Sequence, residues 1–439
     1  MTHTIGMISL GCAKNQVNAE HMLWLLRQAG YEISPDPDGA ELVIVNTCGF
    51  IESAKTEAID NILAMAQLKA EGRIQKILVT GCLAQRYQEE ILQEMPEVDG
   101  VLGTGSYFDV ANAVGQVLSG KRYKRFDDIN ADQSEDGRIL TTPEYYAYLK
   151  IAEGCDNHCA YCVIPSLRGK YRSRSMNELL DEASELASAG VKELIVIAQD
   201  ITRYGTDLNG EHQLAKLLKE LCRLDFHWVR LHYLYPDEIT EELIDTIAAE
   251  PKIVKYLDIP IQHCNDTILK AMNRRDTKAE LLDLFARLRR RSPGLVLRTS
   301  IISGLPYEDE TAFEELCQFL REMKIERAGV FPFSPEEGTR AAQMAHVDTE
   351  EAQRRAELLV DVQSDIIDGY NESLLGETRE VLCESFDDQA QMFFGRSYAE
   401  SPDIDGRIYF TADGEVAPGT FVEVRLTGTM DGELTGEMV

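Results

Sequence analysis

Long apolar runs are missing from this chain of 439 residues, and their absence limits where the protein can work. No stretch approaches the roughly 18 consecutive apolar residues that a membrane-spanning helix needs. The N-terminus also lacks a charged segment followed by an apolar run, so we expect no secretory signal peptide. Together these absences predict a cytoplasmic protein that has no membrane partner.

Basic residues are scarce as well. The chain has 44 Lys and Arg against 75 Asp and Glu, which gives a formal net charge of -31. Non-specific binding of nucleic acids depends on Lys and Arg that displace counterions from phosphates. The acidity therefore counts against an RNA substrate and favours a basic protein partner. An acidity that serves only solubility is the alternative.

Ten cysteines are present, and disulfides are not their expected use, because the cytosol keeps thiols reduced. Cys155, Cys159 and Cys162 fall within eight residues at the spacing C-x3-C-x2-C, and no fourth cysteine follows at short range. Three thiolates can hold three irons of a [4Fe-4S] cube and leave the fourth iron open to a small molecule, as the cleavage of S-adenosylmethionine requires. A zinc knuckle or three unrelated core thiols are the alternatives. Structural zinc normally takes four ligands, and only His158 is at hand as a fourth.

The first 120 residues alternate short apolar runs with helical patterns, which predicts a parallel sheet covered by helices. Cys12, Cys48 and Cys82 each come directly after a predicted strand. Since parallel strands bring the loops at their carboxyl ends to one edge of the sheet, these thiols can meet there. They are candidate ligands of a second [4Fe-4S] cluster, and small buried packing residues are the alternative. The predicted strands cover residues 5–10, 42–45, 77–80 and 101–103, and predicted helices cover 51–68 and 84–95.

Strand–helix alternation resumes after residue 145, and six units predict a partial barrel of parallel strands. A closed eight-stranded barrel would need two more units. Gln199, Asp200, Gln262 and Gly304 follow predicted strands, so we expect them at the rim, where they are candidates for contacts with S-adenosylmethionine. Residues that only satisfy the fold are the alternative. The predicted strands are 146–151, 194–198, 229–233, 256–260, 296–302 and 329–333, and the predicted helices are 177–189, 214–224, 241–249, 278–290 and 312–323.

The last part of the chain changes to short strands separated by turn signals, after a helical pattern over 349–370. Strands at 380–385, 407–410 and 420–426 predict a small antiparallel barrel. Its residues 375–439 include 14 Asp and Glu, four Arg and no Lys. The predicted fold class is therefore α/β with a small C-terminal β-barrel. The predicted domains are an N-terminal domain (1–120), a linker (121–140), a core (141–372) and the barrel (375–439).

Several motifs resemble one known family. C-x3-C-aromatic-x-C, with Tyr161 in the aromatic place, is similar to the signature of radical S-adenosylmethionine enzymes. The continuation through residues 163–169 and the segments around the three N-terminal cysteines resemble the methylthiotransferase branch, whose usual C-terminal module is a TRAM domain. Within that branch the chain resembles the RimO group. The group that modifies transfer RNA typically carries Gly-Cys-Gln-Met-Asn at the first cysteine, whereas this chain has Gly-Cys-Ala-Lys-Asn over residues 11–15.

The resemblance implies a specific reaction: addition of a methylthio group to the β-carbon of an aspartate in ribosomal protein twelve of the small subunit, a basic protein. It implies two [4Fe-4S] clusters, one on Cys12, Cys48 and Cys82 and one on the other triad. It also implies S-adenosylmethionine as both radical source and methyl donor, while the electron donor and the sulfur donor stay unidentified. Methylthiolation of an adenosine in transfer RNA is the nearest alternative. A non-catalytic iron–sulfur protein for electron transfer or cluster delivery is an alternative of another class.

Overall fold

The computed structural model describes residues 3–131, 135 and 137–439. The first unit is a six-stranded sheet of order β2-β1-β3-β4-β5-β6 in which all neighbours are parallel. Its strands are β1 (Thr4–Ser9), β2 (Glu32–Ser34), β3 (Leu42–Thr47), β4 (Lys76–Gly81), β5 (Gly100–Leu102) and β6 (Tyr123–Arg125). Its helices are α1 (Ala13–Gln28), α2 (Glu52–Ala70), α3 (Cys82–Tyr87), α4 (Glu89–Glu94) and α5 (Val110–Leu118).

Helices cover both faces of this sheet because its strands are apolar on both sides. Every residue of β3 is buried. Val43 and Val45 pack with α2 and α3, whereas Leu42 and Ile44 pack with α1 and α5. A strand that is buried on both faces is typical of parallel sheets between helical layers. The predicted parallel α/β arrangement of the N-terminal region is confirmed.

The segment predicted as a linker, 121–140, begins within this sheet. Residues of β6 pair in parallel with those of β5, for example Val101 with Lys124. The basic and polar character of this segment suggested a connection, but an edge strand needs only its backbone for pairing. Residues 132–134 and 136 of the predicted linker lie outside the described residues.

The central unit is a six-stranded parallel sheet of order β14-β13-β12-β11-β10-β7, which curves without closing. The predicted partial barrel is confirmed. Its strands are β7 (Tyr146–Lys150), β10 (Glu193–Ile197), β11 (Trp228–Leu231), β12 (Ile253–Asp258), β13 (Val296–Ser303) and β14 (Arg327–Pro332), with a separate antiparallel pair of β8 (Ala152–Glu153) and β9 (Arg172–Ser173). The helices are α6 (Ile164–Arg168), α7 (Met176–Ser188), α8 (Thr206–Asn209), α9 (Leu214–Leu221), α10 (Glu241–Ala249), α11 (Asp266–Ala271), α12 (Lys278–Arg291), α13 (Glu310–Met323) and α14 (Thr349–Ser373).

The two faces of the central sheet differ in chemistry. The outer face is apolar and packs against α7, α9, α10, α12 and α13. The inner face carries buried polar side chains, among them Arg230, Tyr256 and Arg298. This polarity is compatible with burial because each of the three side chains has a hydrogen-bonding partner.

The third unit is a closed barrel of order β15-β16-β17-β19-β18. Its pairings are antiparallel, except that β17 and β19 run parallel, so the predicted small barrel is confirmed with one parallel pair. The barrel contacts the inner side of the central sheet, where Ser401 and His232 are hydrogen-bonded at 2.9 Å. Its strands are β15 (Thr378–Asp387), β16 (Met392–Arg396), β17 (Ile408–Thr411), β18 (Phe421–Met430) and β19 (Glu433–Met438).

None of the helices in the described ranges is both long enough and apolar enough to span a membrane.

Candidate functional site

Three cysteines of the N-terminal domain lie at the carboxyl edge of its sheet. Cys12 immediately precedes α1, Cys48 directly follows β3, and Cys82 is the first residue of α3. The loops are packed so closely that a Cβ on Gly11, whose φ is +89°, would lie 2.7 Å from the Cβ of Cys48. Only glycine fits this backbone without strain. The fold therefore brings together residues that lie up to 70 positions apart in the sequence.

The second triad lies in the loop that follows β8. The backbone N–H of Ile164 donates a hydrogen bond to Sγ of Cys162 at 3.4 Å. Sγ of Cys159 lies 3.4 Å from the hydroxyl of Tyr235, which comes from the segment after β11. Cys155, Cys159 and Cys162 are all half-buried and free of disulfides. N–H and O–H groups around thiolate sulfurs are typical of iron–sulfur sites.

The thiols of each triad are close enough to affect one another electrostatically. Burial raises the pKa of Cys48 to about 11, and the thiols of Cys82 and Cys12 contribute to the increase. Burial raises the pKa of Cys155 to about 12. Burial and the neighbouring Cys159 raise the pKa of Cys162 in the same way. Such thiols ionise readily only beside positive charge, which a bound iron cluster supplies.

Cys12 differs from the other ligand candidates. Burial tends to raise its pKa, but the charges of Lys14 and Arg168 and nearby backbone N–H groups outweigh burial, so that the pKa is lowered. Its side chain is exposed and forms no disulfide. Three thiolates are a donor set that suits a [4Fe-4S] cluster with one open iron.

Arg168 connects the core to the N-terminal triad. It is the last residue of α6, which follows Cys162, and it is buried against the N-terminal domain. Its Nη2 donates to Sγ of Cys82 at 3.2 Å and to Oδ1 of Asn15 at 3.0 Å. Its Nη1 donates to Oε2 of Glu153 at 3.4 Å. One guanidinium from the core therefore contacts a thiol of the N-terminal triad.

Sequence similarity to known proteins identifies the family of this chain. Ribosomal protein uS12 methylthiotransferase RimO of Thermoanaerobacter sp. (strain X514) is 45% identical over 436 residues, which cover 99% of each chain. The protein of the same name from Lachnoclostridium phytofermentans is 46% identical over 435 residues, or 98% of this chain and 99% of the relative. This chain belongs to the RimO family.

Matches to domain families follow the same order along the chain. Residues 4–103 match the uncharacterized protein family UPF0004, residues 149–320 match the radical SAM superfamily, and residues 375–439 match the TRAM domain. The solved structure of the radical S-adenosylmethionine methyltransferase TsrM from Kitasatospora setae is similar in fold. Its TM-score is 0.54 at 14% identity, with 76% of this chain and 77% of that chain covered. As a RimO-family enzyme, the protein is a radical SAM transferase of a sulfur-containing group and uses S-adenosylmethionine and [4Fe-4S] clusters.

Of the residues predicted to contact S-adenosylmethionine, Gln199 lies beside the triads. Its Nε2 donates to Oε1 of Glu153 at 2.6 Å, and its buried Oε1 has no partner among the described residues. Glu153 also accepts from Nζ of Lys150 at 3.1 Å. Burial tends to raise the pKa of Glu153, but Lys150 and Arg168 lower it to about 2. The free carbonyl oxygen of Gln199 is therefore available to a ligand.

Asp200 is occupied by protein contacts. It is fully buried, and one carboxylate oxygen accepts from Nδ2 of Asn157 at 2.9 Å. The other accepts from the backbone N–H of Thr202 at 3.0 Å. Asn157 lies between Cys155 and Cys159, so Asp200 holds the cysteine loop in place. The contact of Asp200 with S-adenosylmethionine stays a prediction.

Gly304 and Gln262 follow neighbouring strands, as predicted, but their surroundings differ. The N–H of Gly304 donates to Oε1 of Glu308 at 2.8 Å, and a Cβ at this position would lie 2.6 Å from the Cβ of Ala352. The packing of α14 thus explains this glycine. Gln262 is half-buried with φ of +68°, and its backbone pairs with Ile301. Its cofactor role stays a prediction.

The contacts of Arg168 and Glu153 were not predicted from the sequence. The only available signal was their place near the cysteines, because the contact of Arg168 with Cys82 spans 86 positions. The close approach of the two domains is also a tertiary effect. Arg86 of α3 donates to Oε2 of Glu336 at 2.7 Å, which ties the N-terminal domain to the loop after β14.

Proposed function

We propose that this enzyme adds a methylthio group to the β-carbon of an aspartate in ribosomal protein uS12. The observation that carries the proposal is the similarity, over nearly the whole chain, to relatives named for that activity. The acidity of the chain supports a basic protein substrate over transfer RNA, since a net charge of -31 repels phosphates. We further propose that the enzyme acts in the cytoplasm.

We assign the cluster ligands to the two triads. Cys155, Cys159 and Cys162 would hold the cluster that binds S-adenosylmethionine. Cys12, Cys48 and Cys82 would hold an auxiliary cluster. The free thiols and their mutual electrostatic effects within each triad support this division. When bound, the cofactors would supply the methyl group and one-electron chemistry. One-electron chemistry is needed because no side-chain base deprotonates the β-carbon at useful rates.

The residues of the chain arrange and shield this chemistry. Arg168 links the proposed auxiliary site to the core through Cys82 and Glu153. Val163 and Leu167 pack against Cys82 and close one side of the junction with apolar surface. A junction without bulk water protects reactive species from side reactions. We propose Gln199 and Gln262 as contacts to S-adenosylmethionine, and Asp200 and Gly304 as residues that support the pocket.

The C-terminal barrel is the proposed docking module for the ribosomal protein. Eight of its acidic residues are exposed, against two exposed arginines, so its surface attracts a basic partner. The exposed acidic residues are Glu377, Asp388, Asp403, Asp413, Glu415, Glu423, Asp431 and Glu437. The exposed arginines are Arg407 and Arg425.

Purified uS12 and transfer RNA, each incubated anaerobically with the reconstituted enzyme, test the substrate. Mass spectrometry should find an added methylthio group on one aspartate of uS12 and no change in the RNA. Modification of the RNA alone would refute the proposal. As a control, the enzyme is incubated with S-adenosylmethionine and reductant but without substrate. Formation of 5'-deoxyadenosine in this sample shows that the radical site is active.

A charge variant tests the docking module. Asp413→Asn with Glu415→Gln should weaken uS12 binding several-fold at low salt, and the difference should shrink at high salt because ions screen exposed charges. The matched control is Glu57→Gln with Asp60→Asn, two exposed acids on α2 of the N-terminal domain. Equal weakening by both pairs would show that net charge, and not the barrel, attracts the substrate.

A further inference from the structure

One buried cation of the N-terminal domain has no carboxylate partner among the described residues. Lys14 is the second residue of α1 and is only 8% exposed. Its Nζ lies 3.4 Å from the centre of the Tyr233 ring. Within the described ranges, no carboxylate oxygen comes within 4.0 Å of this ammonium. A cation–π contact alone offsets only part of the cost of removing the charge from water.

Other buried cations of the enzyme are paired. Lys150 lies 3.1 Å from a carboxylate oxygen of Glu153. Arg230 lies 2.6 Å from Glu193. An isolated buried charge costs several kcal/mol, so proteins normally pair such groups or use them. Among the described residues of this region, Lys14 is the exception because no carboxylate pairs with it. This exception points to a functional role for its charge.

Asp258 is the carboxylate that could compete for Lys14. Its Oδ1 accepts from Nη1 of Arg298 at 2.8 Å, which holds it on the inner face of β12 and β13. Burial raises the pKa of Asp258, and the charge of Arg298 opposes this increase. Since Arg298 holds Asp258 more than 4.0 Å from the Lys14 ammonium, that ammonium stays open to an external anion.

Lys14 contacts a segment that reaches both triads. Lys14 itself comes two residues after Cys12. The ring of Tyr233, which it contacts, belongs to the same short segment as Tyr235, whose hydroxyl lies 3.4 Å from Sγ of Cys159. Tyr233 adopts a φ of +67°, a costly conformation for a bulky residue. The segment thus connects Lys14 with the radical triad, where the reacting carbon must sit.

We propose that the ammonium of Lys14 binds the side-chain carboxylate of the substrate aspartate. The carboxyl carbon is bonded directly to the β-carbon, so one charge-assisted hydrogen bond at this point fixes the reacting atom between the triads. Lys14 is in this sense a substrate-binding and specificity residue. It favours aspartate over the isosteric asparagine, because an amide leaves the buried ammonium uncompensated. The inference rests on the proposed function, since it takes aspartate as the substrate.

The affinities of two peptides for the wild type and for Lys14 variants, measured without turnover, test the inference. Full-length reconstituted enzyme with S-adenosylmethionine and no reductant is titrated with a peptide that copies the uS12 segment around the target aspartate. A second peptide carries asparagine at that position. We expect the wild type to prefer the aspartate peptide by about tenfold or more, and Lys14→Met to remove this preference. The asparagine peptide should bind both enzymes within about threefold, on the same reasoning. Lys14→Arg should keep part of the preference.

The control is Lys121→Met, an exposed lysine of the same domain, which should bind both peptides as the wild type does. Iron content and circular dichroism report whether the variants fold, and Lys14→Gln replaces the Met variant if that one loses its clusters. An unchanged aspartate preference in the Lys14 variants overturns the inference and leaves the proposed function intact. A wild type that binds neither peptide, yet modifies transfer RNA, overturns both.

Discussion

Nη2 of Arg168 lies 3.2 Å from Sγ of Cys82, and this contact joins the core to the N-terminal domain. The guanidinium is buried and also contacts Asn15 and Glu153. Burial raises the pKa of the Cys82 thiol, whereas Arg168 lowers it. Arg168 therefore stabilises negative charge on one proposed ligand of the auxiliary cluster while it belongs to the helix that follows the radical triad.

Arg168→Met should lower the reduction potential of the auxiliary cluster. The loss of a buried cation and of a hydrogen bond to a ligand sulfur favours the oxidised, less negative cluster. A charge-assisted hydrogen bond of about 1.5–3 kcal/mol corresponds to a shift of about 65–130 mV for a one-electron couple. A redox titration followed by electron paramagnetic resonance measures it, with Arg223→Met, an exposed arginine, as control. An unchanged potential would restrict Arg168 to a structural role.

Removal of a cysteine from either triad should affect different activities of the enzyme. Cys159→Ala should abolish the formation of 5'-deoxyadenosine, because it removes one of the three ligands that we propose for the cluster that binds S-adenosylmethionine. Cys48→Ala should keep part of that activity but stop the insertion of sulfur. Iron content should fall in each variant from about eight to about four per chain. Equal loss of both activities in a folded Cys48→Ala protein would contradict the assigned division of labour.

Substitutions at two glycines distinguish steric crowding at the proposed auxiliary site from general backbone strain. Gly11→Ala places a Cβ 2.7 Å from the Cβ of Cys48, so we expect about four irons per chain and no methylthio product. Gly30→Ala is the matched control, because its φ of +86° is similar but nothing lies within 4 Å of the new Cβ. It should cost about 1 kcal/mol and keep both clusters. Loss of iron in both variants would show that strain alone is responsible.

The junction between the core and the C-terminal barrel depends on Glu193. Its carboxylate accepts from Nε of Arg230 at 2.6 Å and from Nη2 of Arg396 at 2.8 Å, and all three side chains are buried. Glu193→Gln leaves the buried Arg230 without a counter-charge and Arg396 with Glu384 as its remaining carboxylate partner, and it should destabilise the protein by about 3–5 kcal/mol. Denaturant unfolding of the reconstituted enzyme measures this, and Glu220→Gln, in an exposed pair with Arg223, should cost less than about 1 kcal/mol.

The same residue gives the junction a dependence on pH. Burial alone would raise the pKa of Glu193, but Arg396 and Arg230 outweigh it and lower the pKa below its usual value of 4.5. Because the folded-state pKa is depressed, the stabilisation is present above pH 4.5 and is lost as the pH falls through the folded-state value. Unfolding free energies measured from pH 7 downwards should fall less steeply in Glu193→Gln. Identical slopes in both proteins would assign acid sensitivity to other groups.

The regular elements were readable from the sequence because their patterns are local. The predicted helix 241–249 matches α10, and the strand predicted at 42–45 lies within β3. Two strands of the C-terminal barrel, β16 and β19, were missed because they are short and contain glycine and polar residues. Such segments become strands only when neighbouring strands supply hydrogen-bond partners, which is a tertiary effect. The strand at 123–125 was missed for the same reason.

The sequence alone determined the chemistry. Thiol spacing and strand-end positions pointed to both cysteine triads, to S-adenosylmethionine and to the layered α/β fold, since ligand types and backbone periodicity are local properties. Only the tertiary structure decided which distant side chains meet. It placed Arg168 on Cys82, set the ammonium of Lys14 over the ring of Tyr233, and engaged Asp200 with the cysteine loop. Such contacts follow from how whole domains pack, and no short segment of sequence encodes them.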